Sequence, residues 1–122
     1  MRLPQRDKVA RARELQLRSV TEAQWQEQVV EYAHLRGWRV AHFRAAQTAK
    51  GRHMTAVAYD GAGFPDLVLA RNGKVLFAEL KRETGRVSVA QQAWIDELTG
   101  VATVHVYVWR PSDWDAVESA LR

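Results

Sequence analysis

GFPDLVLARNGKVLFAELK, residues 63–81, decides the fold. At its centre stands Asn72-Gly73, the pair of residue types that most readily takes the two left-handed positions of a type I′ turn. On either side run DLVLAR and KVLFAELK. Together they predict an antiparallel hairpin, and both strands are dense enough in apolar residues to lie centrally in a sheet. Pairing outward from the turn sets Lys74 opposite Arg71 and Glu79 opposite Asp66. Side chains alternate across a strand, so Glu79 and Lys81 share a face. Two carboxylates are thus expected as cross-strand neighbours, roughly 5 Å apart at Cβ.

Working outward, TEAQ at 21–24 is a capping box that starts a helix at Thr21, and Trp25, Val29, Tyr32 and Ala33 give it one apolar stripe. Gly37 ends it, and WRVAHFR (38–44) alternates as a strand. After the hairpin, SVAQ at 88–91 is a second capping box. It opens a helix whose apolar face uses Ala90, Trp94, Ile95 and Leu98 and which stops at Gly100. VATVHVYVW (101–109) reads as a fourth strand, and Ser112 as the cap of a last helix through Leu121. The fold class is α/β, with an αβββαβ core and a mixed central sheet flanked by helices. Residues 1–20 read as a basic tail or loosely attached helix, and 21–122 as the folded domain. Residues 45–63 show no convincing strand or helix, and a segment of that length in a compact domain is usually functional or mobile.

The chain has 122 residues, enough for one small domain. With 47% apolar and 26% charged residues it is balanced like a globular protein rather than a disordered one. No apolar run is long enough to span a bilayer. The basic start lacks an apolar core and is not expected to be a signal peptide. There is no cysteine, which excludes disulfides, thiolate chemistry and cysteine-ligated zinc and suits a cytoplasmic protein. The net charge of +4 is unevenly spread. Residues 1–20 carry six bases and two acids, residues 36–86 ten bases and four acids, while 21–35 and 87–122 are each net acidic. The base-rich middle would meet an anionic partner, nucleic acid being the commonest, although a solvated face would show the same composition.

Two ionised carboxylates side by side repel, and a divalent cation with a taste for oxygen, Mg²⁺ or Mn²⁺, would compensate them directly. Lys81 would then lie beside the ion, placed to orient a water or to stabilise charge developing on a phosphate. An isolated E-x-K is ordinarily a pair of surface residues. The preceding Pro65-Asp66, the hairpin between and the basic surroundings favour the site. Four histidines, His34, His42, His53 and His105, show no metal-ligand spacing. His42 and Arg44 alternate on the first predicted strand and could face either the core or DNA; His105, among valines, reads as structural. The tryptophans read mostly as core.

Pro65-Asp66 followed by Glu79-Leu80-Lys81 resembles the PD-(D/E)XK nuclease motif, and GFPDLVLARNGKVLFAELKRETGRVSVAQQAW (63–94) resembles the VRR-NUC branch of that superfamily. The resemblance runs over residues 21–121. It implies a restriction-endonuclease-like fold and a catalytic set of Glu22, Asp66, Glu79, Lys81 and Gln91. The metal would be held by Glu22, Asp66, Glu79 and the Leu80 carbonyl, with Glu27 and Glu31 competing for the helix position. Gln91 could touch Lys81 or the DNA backbone, or merely close its capping box. The resemblance pairs Gln26 with Glu22 in an E-x-x-x-Q pattern and so nominates it for contact with DNA, and charge and position nominate Arg44, Lys50, Arg52 and Arg82.

The resemblance further implies a Mg²⁺- or Mn²⁺-dependent endodeoxyribonuclease of a bacterial or phage-infected cell. Small members resemble homodimeric Holliday-junction resolvases, so branched DNA and a homodimer are expected. The alternatives are a flap or other branched-DNA nuclease acting as a monomer, a non-catalytic nucleic-acid-binding module, or a structural subunit of a larger assembly. The intact Asp66, Glu79 and Lys81 favour the enzyme, since a pure binder gains nothing from two carboxylates facing phosphates.

Overall fold

Asn72 (φ 47°) and Gly73 (φ 80°) both take left-handed backbone, and the hairpin closes on them with Arg71 opposite Lys74. In the computed structural model, residues 2, 4–43, 46–47, 53–54 and 58–122 are described. Their elements are α1 (Gln5–Ser19), α2 (Glu22–Leu35), β1 (Arg39–His42), β2 (Ala46–Gln47), β3 (His53–Met54), β4 (Leu67–Arg71), β5 (Lys74–Leu80), α3 (Val89–Thr99), β6 (His105–Trp109), a 3-10 turn (Pro111–Asp113) and α4 (Trp114–Leu121). The main sheet is mixed, in the order β1-β4-β5-β6. β4 pairs antiparallel with β1 and β5, and β6 lies parallel to β5 after the α3 crossover. The hairpin strands are therefore central, as their apolar density demands. β2 and β3 form a separate small antiparallel ladder, where the sequence suggested no strand.

Period-2 alternation divides the hairpin between two layers. Leu67, Leu69, Leu76, Ala78 and Leu80 are buried in one core with Trp25, Val29 and Ala33 of α2 and Val117 and Leu121 of α4. The opposite face carries Phe77, whose ring meets Phe64, which in turn packs edge-on against Phe43 and Trp94 of α3. No residue of α3 is fully buried, so its predicted apolar face is only half covered: Trp94, Ile95 and Leu98 are partly exposed and Ala90 is open. Trp94 uses its indole N–H on the Asp60 carbonyl at 2.8 Å.

Both capping boxes form as predicted. α2 ends in a Schellman motif: Gly37 (φ 83°) donates to His34 at 3.0 Å and Trp38 donates to Ala33 at 2.9 Å. That turn uses Trp38, so β1 begins one residue later than the alternation suggested. β6 likewise begins at His105 rather than 101, because Val101 N–H donates to Leu98 and Val104 N–H to Val101, making a turn of the first four residues. His105 is exposed at the strand's start and stacks on Tyr107. Ser112 does not cap the last helix. It lies within the 3-10 turn, where the Asp113 carboxylate folds back to accept the Arg110 N–H at 2.8 Å.

Candidate active site

The hairpin register runs from Arg71 opposite Lys74 to Leu67 opposite Ala78, and one further step brings Asp66 to Glu79. Asp66 is fixed twice. Its carbonyl accepts the Phe43 N–H at 3.1 Å, and its Oδ2 accepts the Leu80 N–H at 2.8 Å. Glu79 is 1% exposed, the one charged residue among the buried side chains described. Its Oε1 accepts from Gln91 Nε2 at 2.9 Å and lies 3.7 Å from Lys81 Nζ. The shared face expected of Glu79 and Lys81 is therefore present.

Burial pushes the Glu79 carboxyl up to about 8, and the adjacent Asp66 pushes in the same direction by its charge and by a hydrogen bond between the two side chains. Lys81 opposes this, and Glu22 adds a further upward push. Desolvation and like charge thus outweigh one ammonium group. In physical terms, the pair lacks positive charge: Glu79 must hold a proton or meet a cation. Two converging carboxylates are hard oxygen donors, so the donor set fits Mg²⁺ or Mn²⁺. Glu22, first residue of α2, acts on Glu79 through its field. Among the described residues, however, no three His, Asp or Glu side chains group around one point, so Glu22 stands at the rim of a two-carboxylate site.

Gln91 resolves an ambiguity of the sequence. Its Oε1 accepts the Ser88 N–H at 2.8 Å and its Nε2 donates to Glu79, so one amide closes the capping box and orients the carboxylate. The two roles read as alternatives along the chain; an amide has both an acceptor and a donor end and satisfies both. Gly63 is a site determinant that sequence reading misses. At φ 83°, its missing Cβ would fall 2.5 Å from the Ala90 carbonyl carbon and 2.7 Å from the Gln91 nitrogen. Only glycine lets the loop before Pro65-Asp66 lie against the start of α3.

The Trp109 carbonyl is a second feature invisible in the sequence. It accepts both the Trp25 indole N–H at 2.9 Å and the Lys81 backbone N–H at 3.0 Å. The loop from Lys81 to Ser88 is held by Arg110, which donates to the Gly85 carbonyl, and by Glu83, which accepts the Ser112 N–H. Leu80 is buried in the core through its side chain.

Of the residues nominated for DNA contact, Gln26 is half-buried on α2 with its amide 3.4 Å from His42 Nδ1, and the exposed Arg82 donates to the Arg18 carbonyl at 3.2 Å. Glu27 and Glu31 line a groove with His34 and His42. Arg44, Lys50 and Arg52 lie outside the described residues.

The family model for the VRR-NUC domain matches residues 8–111. No curated protein and no solved structure gives a match. The matched span contains the hairpin, both carboxylates, Lys81 and Gln91, and the chain belongs to the VRR-NUC family, a nuclease domain that acts on DNA.

Proposed function

We propose that this VRR-NUC protein is a divalent-metal-dependent endodeoxyribonuclease that cuts branched DNA. The observation that carries the reading is the pair of a buried Glu79 and a half-buried Asp66, short of positive charge, with Lys81 Nζ 3.7 Å from Glu79 and the Gln91 amide 2.9 Å from it. A purely structural site would more readily bury apolar side chains than an uncompensated carboxyl pair. Asp66 and Glu79, with the Leu80 carbonyl, would hold Mg²⁺ or Mn²⁺, and Glu22 would add negative charge at the rim. The bound ion would supply Lewis acidity to the scissile phosphodiester.

The remaining roles belong to the chain. Lys81 presents an ammonium group beside Glu79, where it neutralises charge gathering on the phosphate oxygens. Gln91 keeps the Glu79 carboxylate from rotating away. Gly63 lets α3 approach closely enough for Gln91 to reach.

The preference for branched DNA and for a homodimer rests on the small size of the domain. One chain carries one site, and two symmetric cuts across a junction need two sites related by a two-fold axis. A DNA substrate suits work in the cytoplasm of a bacterial or phage-infected cell. The deciding experiment incubates the protein with labelled four-way, flap and linear duplex DNA in Mg²⁺, in Mn²⁺ and in EDTA, alongside Asp66→Ala, Glu79→Ala and Lys81→Ala. Cutting is expected only with metal and only by the unmodified protein, with four-way DNA preferred. Activity in EDTA, or in Glu79→Ala, overturns the nuclease assignment. A 13.9 kDa species in analytical ultracentrifugation, with and without junction, overturns the dimer and favours a monomeric flap nuclease.

A further inference from the structure

We infer that α1 is a DNA arm, a basic helix that lies in the major groove of the duplex leading into the carboxylate site. The inference rests on the reading of the protein as a DNA nuclease and specifies how it grips its substrate. α1 spans 15 residues and buries none of them. Leu17 alone is half covered, while Val9 and Leu15 are 59% and 56% exposed. The helix has no apolar face with which to dock on the domain, and an isolated helix of this length is marginal in water.

Only its end is tied down. Arg82 donates to the Arg18 carbonyl, Val20 packs against the core, and Glu22 begins the next helix. Arg82 follows Lys81, and Glu22 acts on Glu79, so the arm springs from the rim of the site. Arg18 is already paired with Glu14 at 3.0 Å. Arg6, Lys8, Arg11 and Arg13 form no ion pair among the described residues.

The placement of those four bases selects the occupant. At 3.6 residues per turn, Arg6 and Arg13 fall on one side of the helix, while Lys8 and Arg11 fall on the opposite side. A lipid surface or an acidic protein face would call for bases gathered on a single side with an apolar stripe beside them. Two opposed basic sides suit a channel with negative walls on both flanks. The major groove of duplex DNA admits an α-helix between two phosphate backbones. The rise per residue makes the arm about 22 Å long, or roughly six base pairs of duplex. In this placement Arg6 and Arg13 neutralise one backbone, and Lys8 and Arg11 the other.

The test uses the full chain and three variants: Arg6→Gln with Arg13→Gln, Lys8→Gln with Arg11→Gln, and all four together. All four positions are exposed, and circular dichroism checks that the fold survives. Affinity for four-way DNA with arms of about 4 and about 15 base pairs is measured in EDTA across roughly 50–200 mM salt. Each paired variant should lower the slope of log K against log salt by about 1.8, and the fourfold variant by about 3.6. Across that salt range the unmodified protein should then lose about 100-fold more affinity than the fourfold variant. Its preference for the longer arms should vanish in the variant.

Unchanged slopes overturn the arm. An effect from one pair only overturns the groove placement. A change in particle mass without a change in slope assigns α1 to contact with a second copy and also overturns it. Because binding is read without metal, a failure to cut DNA in Mg²⁺ or Mn²⁺ would refute the nuclease reading without bearing on whether the arm grips DNA.

Discussion

Replacing Glu79 by Gln should stabilise the metal-free protein at alkaline pH while abolishing cleavage. Glu79 titrates at about 8 in the fold, against an ordinary value of 4.5. Its folded-state pKa is raised, so the protonated carboxyl favours the native state. That contribution is complete below pH 4.5 and is lost as pH rises through 8. Between those limits the native state holds a proton that the unfolded chain has released, and stability falls by about 1.4 kcal/mol per pH unit. Over the whole interval the loss is on the order of 3–5 kcal/mol, a large share of the stability of a small domain. A glutamine has almost the same shape and cannot ionise, so this slope should be absent from the variant. The assay is urea denaturation of both proteins in EDTA at half-unit steps from about pH 4.5 to about pH 9. Subtracting one curve from the other cancels the shared groups that do not interact with Glu79. Glu79→Gln should match the unmodified protein at the acid end and exceed it by a few kcal/mol at the alkaline end. Parallel curves would refute the reasoning, because Glu79 would then ionise in the fold without cost and the carboxylate pair would not lack positive charge.

Glu22→Ala should lower cleavage at least about tenfold, because Glu22 alone among the α2 acids acts on Glu79, whereas Glu27→Ala and Glu31→Ala should cut like the unmodified protein; a dead Glu27→Ala beside an active Glu22→Ala would refute the assignment. Gly63→Ala should cost roughly 2–4 kcal/mol, combining left-handed strain with a clash against α3. Gly73→Ala, with nothing near its added Cβ, should cost only about 1–2 kcal/mol in the same denaturation assay. Gln91→Glu should keep the capping box and stay within about 1 kcal/mol of the unmodified protein at about pH 5. It loses the donor to Glu79, and its cleavage rate, compared at saturating DNA, should fall at least about tenfold.

The hairpin and its register are legible because they depend on local chemistry. An Asn-Gly turn fixes the pairing, and the pairing alone brings Asp66 to Glu79. Thr21 and Ser88 announce their helices for the same reason. Sequence reading fails where distant contacts decide. Val101 to Val104 have strand-like side chains, but the crossover from α3 needs those residues for its turn. Ser112 is a good cap residue, yet Arg110-Pro111 starts a tighter turn ahead of it. α1 stays undecided along the chain because its residues favour a helix while its pattern offers no face to bury. Within the site, residue types point to the acids and the lysine, and the family resemblance points to Gln91. The closeness of Gly63 to α3 and the burial of Glu79 are properties of the assembled fold, and no spacing along the chain expresses them.

The Trp109 carbonyl gives the enzyme an order of assembly. The hairpin that bears Asp66 and Glu79 is local in sequence and is made first. One oxygen of Trp109 receives a hydrogen bond from the Lys81 backbone and one from Trp25 of α2, so that tie between the two forms only when β6 pairs alongside β5. That residue is made after every side chain of the site. A nascent chain therefore carries both acids before the residue that anchors the Lys81 backbone has been made.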